Sequence, residues 1–589
     1  MSGQAGEPGA VRSFGVDLRG IVDLLSRHLY SGPRVYVREL LQNAVDAITA
    51  RGGGRGTAIR IEARGDGELR IHDTGIGLTE PQVHELLATI GNSSKRDPLG
   101  FARHDFLGQF GIGLLSCFLV ADEIEVVTRS AVEDAPAVVW RGHADGHYTV
   151  RQGRREEAGT TVALRARRDF EHWLEPSTVM ELARHYGALL PYDVRVNGEP
   201  VTEGTPPWER AWPTERERRE ALLQYGTRVV GTTPFDVIDL AVPEAGLRGV
   251  AYVLPYQTSP GEPAAHRVYL KRMLMGDRVE RILPEWAFFV RCVLNSDELR
   301  PTASREQLYD DELLDGTRKA LGGQLRGWLL RLAAAEPERL RAFLEVHSLG
   351  VKAMAARDVE MLRVVDEWVA FQTSEGAVAL AEFRARHRAI RYTARVEEFQ
   401  QFASIAAAQG IALVNGGYAY DPEILERLRL IDPDLDVRRL DPAELATRLD
   451  PVGPAVAFAA RDFLRVAERT LAGHGCEPTL REFSPATLPV LYLEGTRPVA
   501  DAREAGGVWA EFADDAEEQA RPSLVFNHRN PLVARLTSTV NAEVVALAVE
   551  ALYGYALLAG RRPMRPDDVA GVNRAFLGLV EHAVRRDAP

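Results

Sequence analysis

Glu39, Asn43 and Asp46 stand four and three residues apart within Arg34-Val-Tyr-Val-Arg-Glu-Leu-Leu-Gln-Asn-Ala-Val-Asp-Ala-Ile48. At 100° per residue these spacings put all three within about 60° of one another on a helix. The stripe sets a carboxylate one turn from an amide, a pairing that can hold a water molecule beside a magnesium ion. Taken alone, it is more often a solvated helix face. Asp73-Thr-Gly-Ile-Gly77 is a second cluster. Gly75 and Gly77 permit a tight turn close to a flat ligand, and the Asp73 carboxylate can accept a hydrogen bond from an exocyclic amine such as that of adenine. An Asx turn without a ligand explains the same residues. Gly108-Gln-Phe-Gly-Ile-Gly113 precedes the apolar run 114–120, and glycines ahead of a helix offer backbone N–H groups and a positive helix end to phosphate. No Gly-Lys-Ser/Thr follows, so this is not a Walker loop, and a structural turn is the alternative. Gly159-Thr160 entering a strand means little by itself.

These residues need elements to position them. Val37, Leu40, Leu41, Ala44, Val45 and Ile48 share the opposite, apolar face of the first helix, about 140° wide, which predicts that it is buried against a core. The stretch 69–72 alternates as a strand running into Asp73, and 114–120 predicts a helix. After a flexible start at 1–12, patterned segments alternate with Gly-rich turns over 13–202, as in an α+β domain. Residues 203–220 carry Gly204-Thr-Pro-Pro207, Trp208, Trp212-Pro213 and a charged run, and read as a linker. Strand-like pieces at 249–255, 266–275 and 287–294, followed by helical periodicity at 321–344, predict a second α/β domain over 221–450. Helical patterns at 455–472, 541–558 and 566–584 predict a third, mostly helical domain over 451–589.

At 589 residues the chain is several times a typical domain of about 100–150, so more than one core is required. Hydrophobic residues at 45% and charged residues at 26% exclude fibrous and wholly disordered classes. Lys plus Arg minus Asp plus Glu, 71 − 84 = −13, argues against general binding to nucleic acid or an anionic membrane. Cys117, Cys292 and Cys476 lie too far apart in sequence for a disulfide framework or a thiolate cluster, which favours a reducing, cytoplasmic setting. The apolar stretch 544–560 is interrupted by Glu550 and is short for a span, and 1–10 has no signal pattern.

Joined in this order, E-x-x-x-N-x-x-D-A, D-x-G-x-G, G-x-x-G-x-G and G-T resemble the ATP-binding fold shared by gyrase, histidine kinases, MutL and the large heat-shock chaperones. The longer strings 36–47, 73–79 and 108–116 are similar to the heat shock protein 90 chaperones, nearest to their bacterial type. Arg267-Val-Tyr-Leu-Lys-Arg-Met-Leu-Met275, Leu283-Pro-Glu-Trp286, 289–299 and Ser304-Arg-Glu306 resemble the middle domain of that family, and 411–425 and 526–533 resemble later segments more weakly. The resemblance implies an α+β multidomain chain. An N-terminal α/β sandwich ATPase of the GHKL type is followed by an α/β middle domain and a mostly helical C-terminal dimerisation domain.

It also implies roles. Glu39 would orient or polarise the attacking water, Asn43 would hold magnesium with the ATP phosphates, and Asp73, supported by Thr160, would read the adenine amine. Asp46, Gly75, Gly77, Asn92, Ser93 and Leu114 would line the nucleotide. Gly108, Gln109, Phe110, Gly111, Ile112 and Gly113 would cradle its phosphates beneath a lid at 92–107, and Arg305 would reach the γ-phosphate from the middle domain. A surface ion pair with Glu306 is the alternative for Arg305. Leu86, Asn92, Leu114 and Tyr309 depart from the family's usual residues, which bears on affinity and rate. The expected activity is ATP hydrolysis that closes a C-terminally joined homodimer around partly folded client proteins. Met273, Met275, Trp286, Phe288 and Phe289 are apolar candidates for client contact or for core. No tetratricopeptide co-chaperone, nucleic acid or membrane is expected as a partner. The rival readings are a nucleotide-binding scaffold with negligible hydrolysis, a gyrase- or MutL-like DNA-remodelling ATPase, and a kinase.

Overall fold

The computed structural model describes residues 32–54, 56–87, 113–132, 134–259, 262, 265–302, 304–494 and 521–587. They form two compact units that divide between Arg331 and Leu332.

The first unit is built on an eight-stranded sheet in the order β5-β4-β3-β6-β2-β1-β7-β8. Its strands are β1 (Ala58–Ala63), β2 (Glu68–Asp73), β3 (Ala121–Arg129), β4 (Val138–His143), β5 (Tyr148–Gln152), β6 (Gly159–Ala166), β7 (Asp193–Val196) and β8 (Glu199–Pro200). All neighbours are antiparallel except β1 and β7. Helix α1 (Val35–Ala50) has the apolar face that its sequence predicts, and Val37, Leu40, Leu41, Ala44 and Ile48 are buried in one cluster with Ile59, Ile61, Leu69 and Ile71. Strand β2 alternates in burial, so Leu69, Ile71 and Asp73 share the inward face. The period of two that buries Ile71 therefore carries the Asp73 carboxylate inside as well.

The run expected to form a helix at 114–120 is a 3-10 helix, Gly113–Leu119. It passes into β3 with only Val120 between, which leaves no room for a further helical turn. Helix α2 (Glu80–Leu86) starts on a capping box made by Thr79 and Gln82. The 203–220 segment is irregular as far as Thr214, which caps helix α3 (Glu215–Val230) by accepting from the Glu217 N–H. A second sheet follows, β12-β11-β13-β10-β9, of β9 (Asp236–Val242), β10 (Leu247–Val253), β11 (Arg267–Leu270), β12 (Met273–Gly276) and β13 (Val290–Ser296). Met273, Met275 and Phe289 are buried there, so these three are core.

The helical stretch expected at 321–344 is two helices, α4 (Glu312–Ala335) and α5 (Pro337–Ala355). Proline pushes the preceding Glu336 out of the helical region, to φ −136°, and breaks the run. The second unit contains a five-stranded sheet within 370–439 and, in the C-terminal region, a four-stranded sheet within 450–527 besides the expected helices. Helix α6 (Ala542–Ala559) is long and apolar enough to cross a membrane by length and composition. Its Val545, Val549 and Leu552 instead pack with Phe463, Leu480 and Phe526 in the core of this unit. Helix α7 (Pro566–Asp587) follows it.

Candidate active site

The polar stripe of α1 is not solvated. Glu39 and Asp46 are each 2% exposed and Asn43 is half-buried. A buried carboxylate needs a charged or hydrogen-bonding partner, and Glu39 has two. Its Oε2 accepts from Arg305 Nη1 at 2.7 Å, and its Oε1 accepts from Arg38 Nε at 3.3 Å. Arg38 also donates to the main-chain carbonyls of Arg305 (3.2 Å) and Ser304 (3.0 Å). It thereby fixes the turn that presents Arg305, a residue held at φ +55° and closed by an N–H bond to Thr302 O. A left-handed arginine costs conformational energy that the neighbouring contacts must offset. Gly113 closes the other side. A β-carbon there would stand 2.4 Å from Glu39 Oε2, so glycine lets the 3-10 helix lie against the carboxylate without displacing it.

Asp73 lies at the end of β2, opposite Thr160 on β6, which in turn faces Thr128 on β3. Asp73 Oδ1 accepts from the Gly75 N–H at 2.8 Å and the Thr160 N–H at 3.2 Å. The hydroxyls of Thr160 and Thr128 are 3.1 Å apart, and Thr128 Oγ1 also accepts from the Leu78 N–H at 2.9 Å. Burial raises the Asp73 carboxyl to about 6, against the lowering effects of the Gly75 N–H, the Arg155 charge and the Thr160 N–H. The turn between Asp73 and α2 is tied to its neighbours by Ile76 N–H to Ala47 O (2.9 Å) and Ala131 N–H to Ile76 O (2.7 Å). Gly77, at φ +66°, would put a β-carbon 1.9 Å from Arg129 O, so the close approach of this turn to β3 requires glycine.

The two groups sit on two chemistries. One end offers a buried carboxylate against a guanidinium, and the other offers a carboxylate oriented by backbone amides. Leu114 is half-buried against the same core, and Tyr309, one turn beyond Arg305, is 58% exposed. Asn92, Ser93, Gly108 to Ile112 and the lid at 92–107 lie outside the described residues. Among the described residues no three His, Cys, Asp or Glu side chains gather as a metal cage. Asn43, half-buried one turn along α1 from Glu39, carries an amide oxygen of the hard-donor kind that magnesium accepts. Three further residues carry no motif of their own: Arg38, Thr128 and Arg155. Only the adjacency of Arg38 to Glu39 was visible in the sequence.

Residues 30–147 match the family of histidine kinase-, DNA gyrase B- and HSP90-like ATPases, and residues 256–401 match the Hsp90 protein family. The chaperone protein HtpG of Chlorobium luteolum is 24% identical, over 92% of this chain and 94% of its own length. The HtpG chaperones of Methylobacterium sp. and Myxococcus xanthus are 28% and 26% identical, each over 64% of this chain and over 66% and 64% of their own.

The chain is similar to the Hsp90 family in both matched regions. It is an ATP-dependent chaperone of the bacterial type whose N-terminal ATPase is of the GHKL class. The ATPase match covers α1, the Asp73 turn and the 3-10 helix. The Hsp90 match begins within the second sheet and includes Arg305.

Proposed function

We propose that Glu39 and Arg305 run the hydrolytic step of this Hsp90-like chaperone. The observation that carries the reading is the 2.7 Å contact between Glu39 Oε2 and Arg305 Nη1, made by side chains 266 residues apart and both buried. Glu39 is the general base that orients the attacking water, and Arg305 meets the charge that develops on the γ-phosphoryl group. A guanidinium held by the base itself, on a turn clamped by Arg38, can transfer its contact from carboxylate to phosphate when ATP enters. Hydrolysis then depends on the 304–306 turn staying against α1.

Asp73 reads the adenine amine, with Thr160 and Gly75 orienting its carboxylate, while Asp46, Gly77, Asn92, Ser93, Leu114 and the 108–113 glycine segment complete the nucleotide pocket. Asn43 would hold magnesium together with the ATP phosphates, where the ion would neutralise phosphate charge. The functional divisions are 13–202 for nucleotide binding, 203–220 as connector, 221–450 as middle region and 451–589 for dimerisation. Exposed Phe576, Leu577, Val580 and Val584 on α7, with Leu558 on α6, support a helical bundle shared with a second copy. Partly folded proteins are the clients, in the cytoplasm, without a tetratricopeptide co-chaperone.

The test is aggregation of a chemically denatured reporter protein diluted into buffer with the chaperone. ATP is expected to enhance protection by the wild type and not by Glu39→Gln. Equal protection with and without ATP in both proteins would favour the scaffold reading instead.

A further inference from the structure

Arg155 belongs to none of the motifs, yet its guanidinium is fixed beside the end of β2. It lies in the connection between β5 and β6. Nη2 donates to the Asp73 main-chain carbonyl at 3.1 Å, Nη1 donates to the Thr161 hydroxyl, and Nε donates to Glu157 O at 2.9 Å. Thr161 Oγ1 is also 2.9 Å from His72 Nδ1, and the Arg155 carbonyl accepts from Arg129 Nη1 at 3.2 Å. The arginine is thus held from both its ends. Gly159, at φ +125°, leaves the space that this contact needs: a β-carbon there would stand 2.2 Å from Asp73 O and 3.1 Å from Arg155 Nη2.

We propose that Arg155 is a positioning residue for nucleotide recognition, one that anchors the Asp73 backbone and sets a cation beside its carboxylate. This rests on Asp73 being the adenine-reading carboxylate. Both Asp73-directed N–H groups, of Gly75 and Thr160, land on Oδ1, which leaves Oδ2 as the oxygen for a ligand donor. A proton on Oδ2 would oppose the adenine amine with a second donor. Burial pulls the carboxyl up to about 6, and Arg155 is the cation that opposes this. Other charged or titratable groups on the neighbouring elements are buried Asp46 on α1 and the following side chains with partners of their own. Arg51, at the end of α1, donates to Thr74 O, Arg129 on β3 donates to the carbonyls of Arg155 and Glu156, and His72 on β2 bonds Thr161 and faces Glu62 on β1.

Because the ionised form binds, affinity is lost as pH falls through the folded-state value. Removing Arg155 raises that value and moves the loss toward neutrality. The experiment is calorimetric titration of the full chain with ADP from pH 6 to 8.5 for wild type, Arg155→Met, Arg155→Gln, Arg155→Lys and Asp73→Asn. The ratio of variant to wild-type Kd at each pH cancels the titration of the nucleotide's own phosphate. A rise of about one unit gives about a threefold weaker Kd at pH 6.5 and a ratio near one at pH 8.5. Met and Gln are expected to show this, and Lys to lie near wild type. Gln retains donors should Met unfold, and circular dichroism checks each fold. A ratio constant across pH, whether at one or above, overturns the proposal. An Asp73→Asn protein that binds ADP like wild type at pH 8.5 overturns the adenine reading beneath it, whereas loss of binding in Asp73→Asn with a flat Arg155→Gln ratio refutes Arg155 alone.

Discussion

A buried carboxylate is an expense that a fold retains for a reason, and Glu39, Asp46 and Asp73 are three of them around one sheet. Asp73 shows the cost directly. Its folded value of about 6 lies above the ordinary 3.8, so the folded state binds the proton more tightly than the unfolded state does. The sign follows: Asp73 destabilises the fold above about pH 6, and the deficit shrinks as pH falls toward 3.8, worth about 1–3 kcal/mol at neutrality. Asp73→Asn keeps the acceptor for the Gly75 and Thr160 N–H groups without the charge. It is expected to melt at a higher temperature than wild type at pH 7.5, with the gap closing near pH 4.5, while losing nucleotide binding. A lower melting temperature at pH 7.5 would show that the carboxylate is stabilised there after all. Arg305→Met should leave Glu39 facing Arg38 alone and lower kcat by about tenfold or more, measured by phosphate release, with less effect on ATP affinity. Glu39, Asn43 and Asp73 could be singled out because their motifs are local strings, and Thr160 entered only through the family resemblance. Arg38 and Arg155 could not, because nothing in a sequence distinguishes a solvated arginine from one clamped onto carbonyls that arrive from distant strands.

Elements carry these groups through their periodicity. The 3.6-residue period of α1 and the two-residue period of β2 were both readable; the second explains why Asp73 ends up inside, whereas Glu39, opposite the apolar face of α1, is buried by the Arg305 turn and the 3-10 helix packed over it. What the periodicity could not give was how segments meet. The run 114–120 looks helical by apolar content, yet its 3-10 form follows from the short reach into β3, and the short C-terminal strands such as Glu477–Glu482 lack alternation. The Asp73 turn is the element most exposed to single changes. Gly77→Ala would combine a left-handed alanine, about 1–2 kcal/mol, with a backbone overlap that forces the turn away from β3, about 1–3 kcal/mol more. Urea unfolding should show a loss of about 2–5 kcal/mol and calorimetry a weakened nucleotide affinity. A variant within about 0.5 kcal/mol of wild type would mean that the turn is free to move.

At the scale of the molecule, α6 packs into a core, whereas α7 is the helix proposed to meet a second copy. Val545, Val549 and Leu552 of α6 complete the core of the second unit, so deleting residues after Val540 would remove core together with any interface. Substitution on α7 separates the two. Phe576→Glu with Leu577→Glu changes side chains that are 64% and 65% exposed, and should give a monomer by analytical ultracentrifugation with the fold retained and ATPase activity reduced. A dimer that survives both charges would place the interface elsewhere. The central claim, that the Glu39 carboxylate against Arg305 is the hydrolytic centre, is tested most directly by steady-state ATP hydrolysis of the purified full chain, wild type beside Glu39→Ala, with ATP Kd measured on both. The expected result is turnover by the wild type, a loss of about a hundredfold or more in Glu39→Ala, and a Kd that changes by less than about tenfold. Turnover retained in Glu39→Ala, or absent from the wild type, would contradict it.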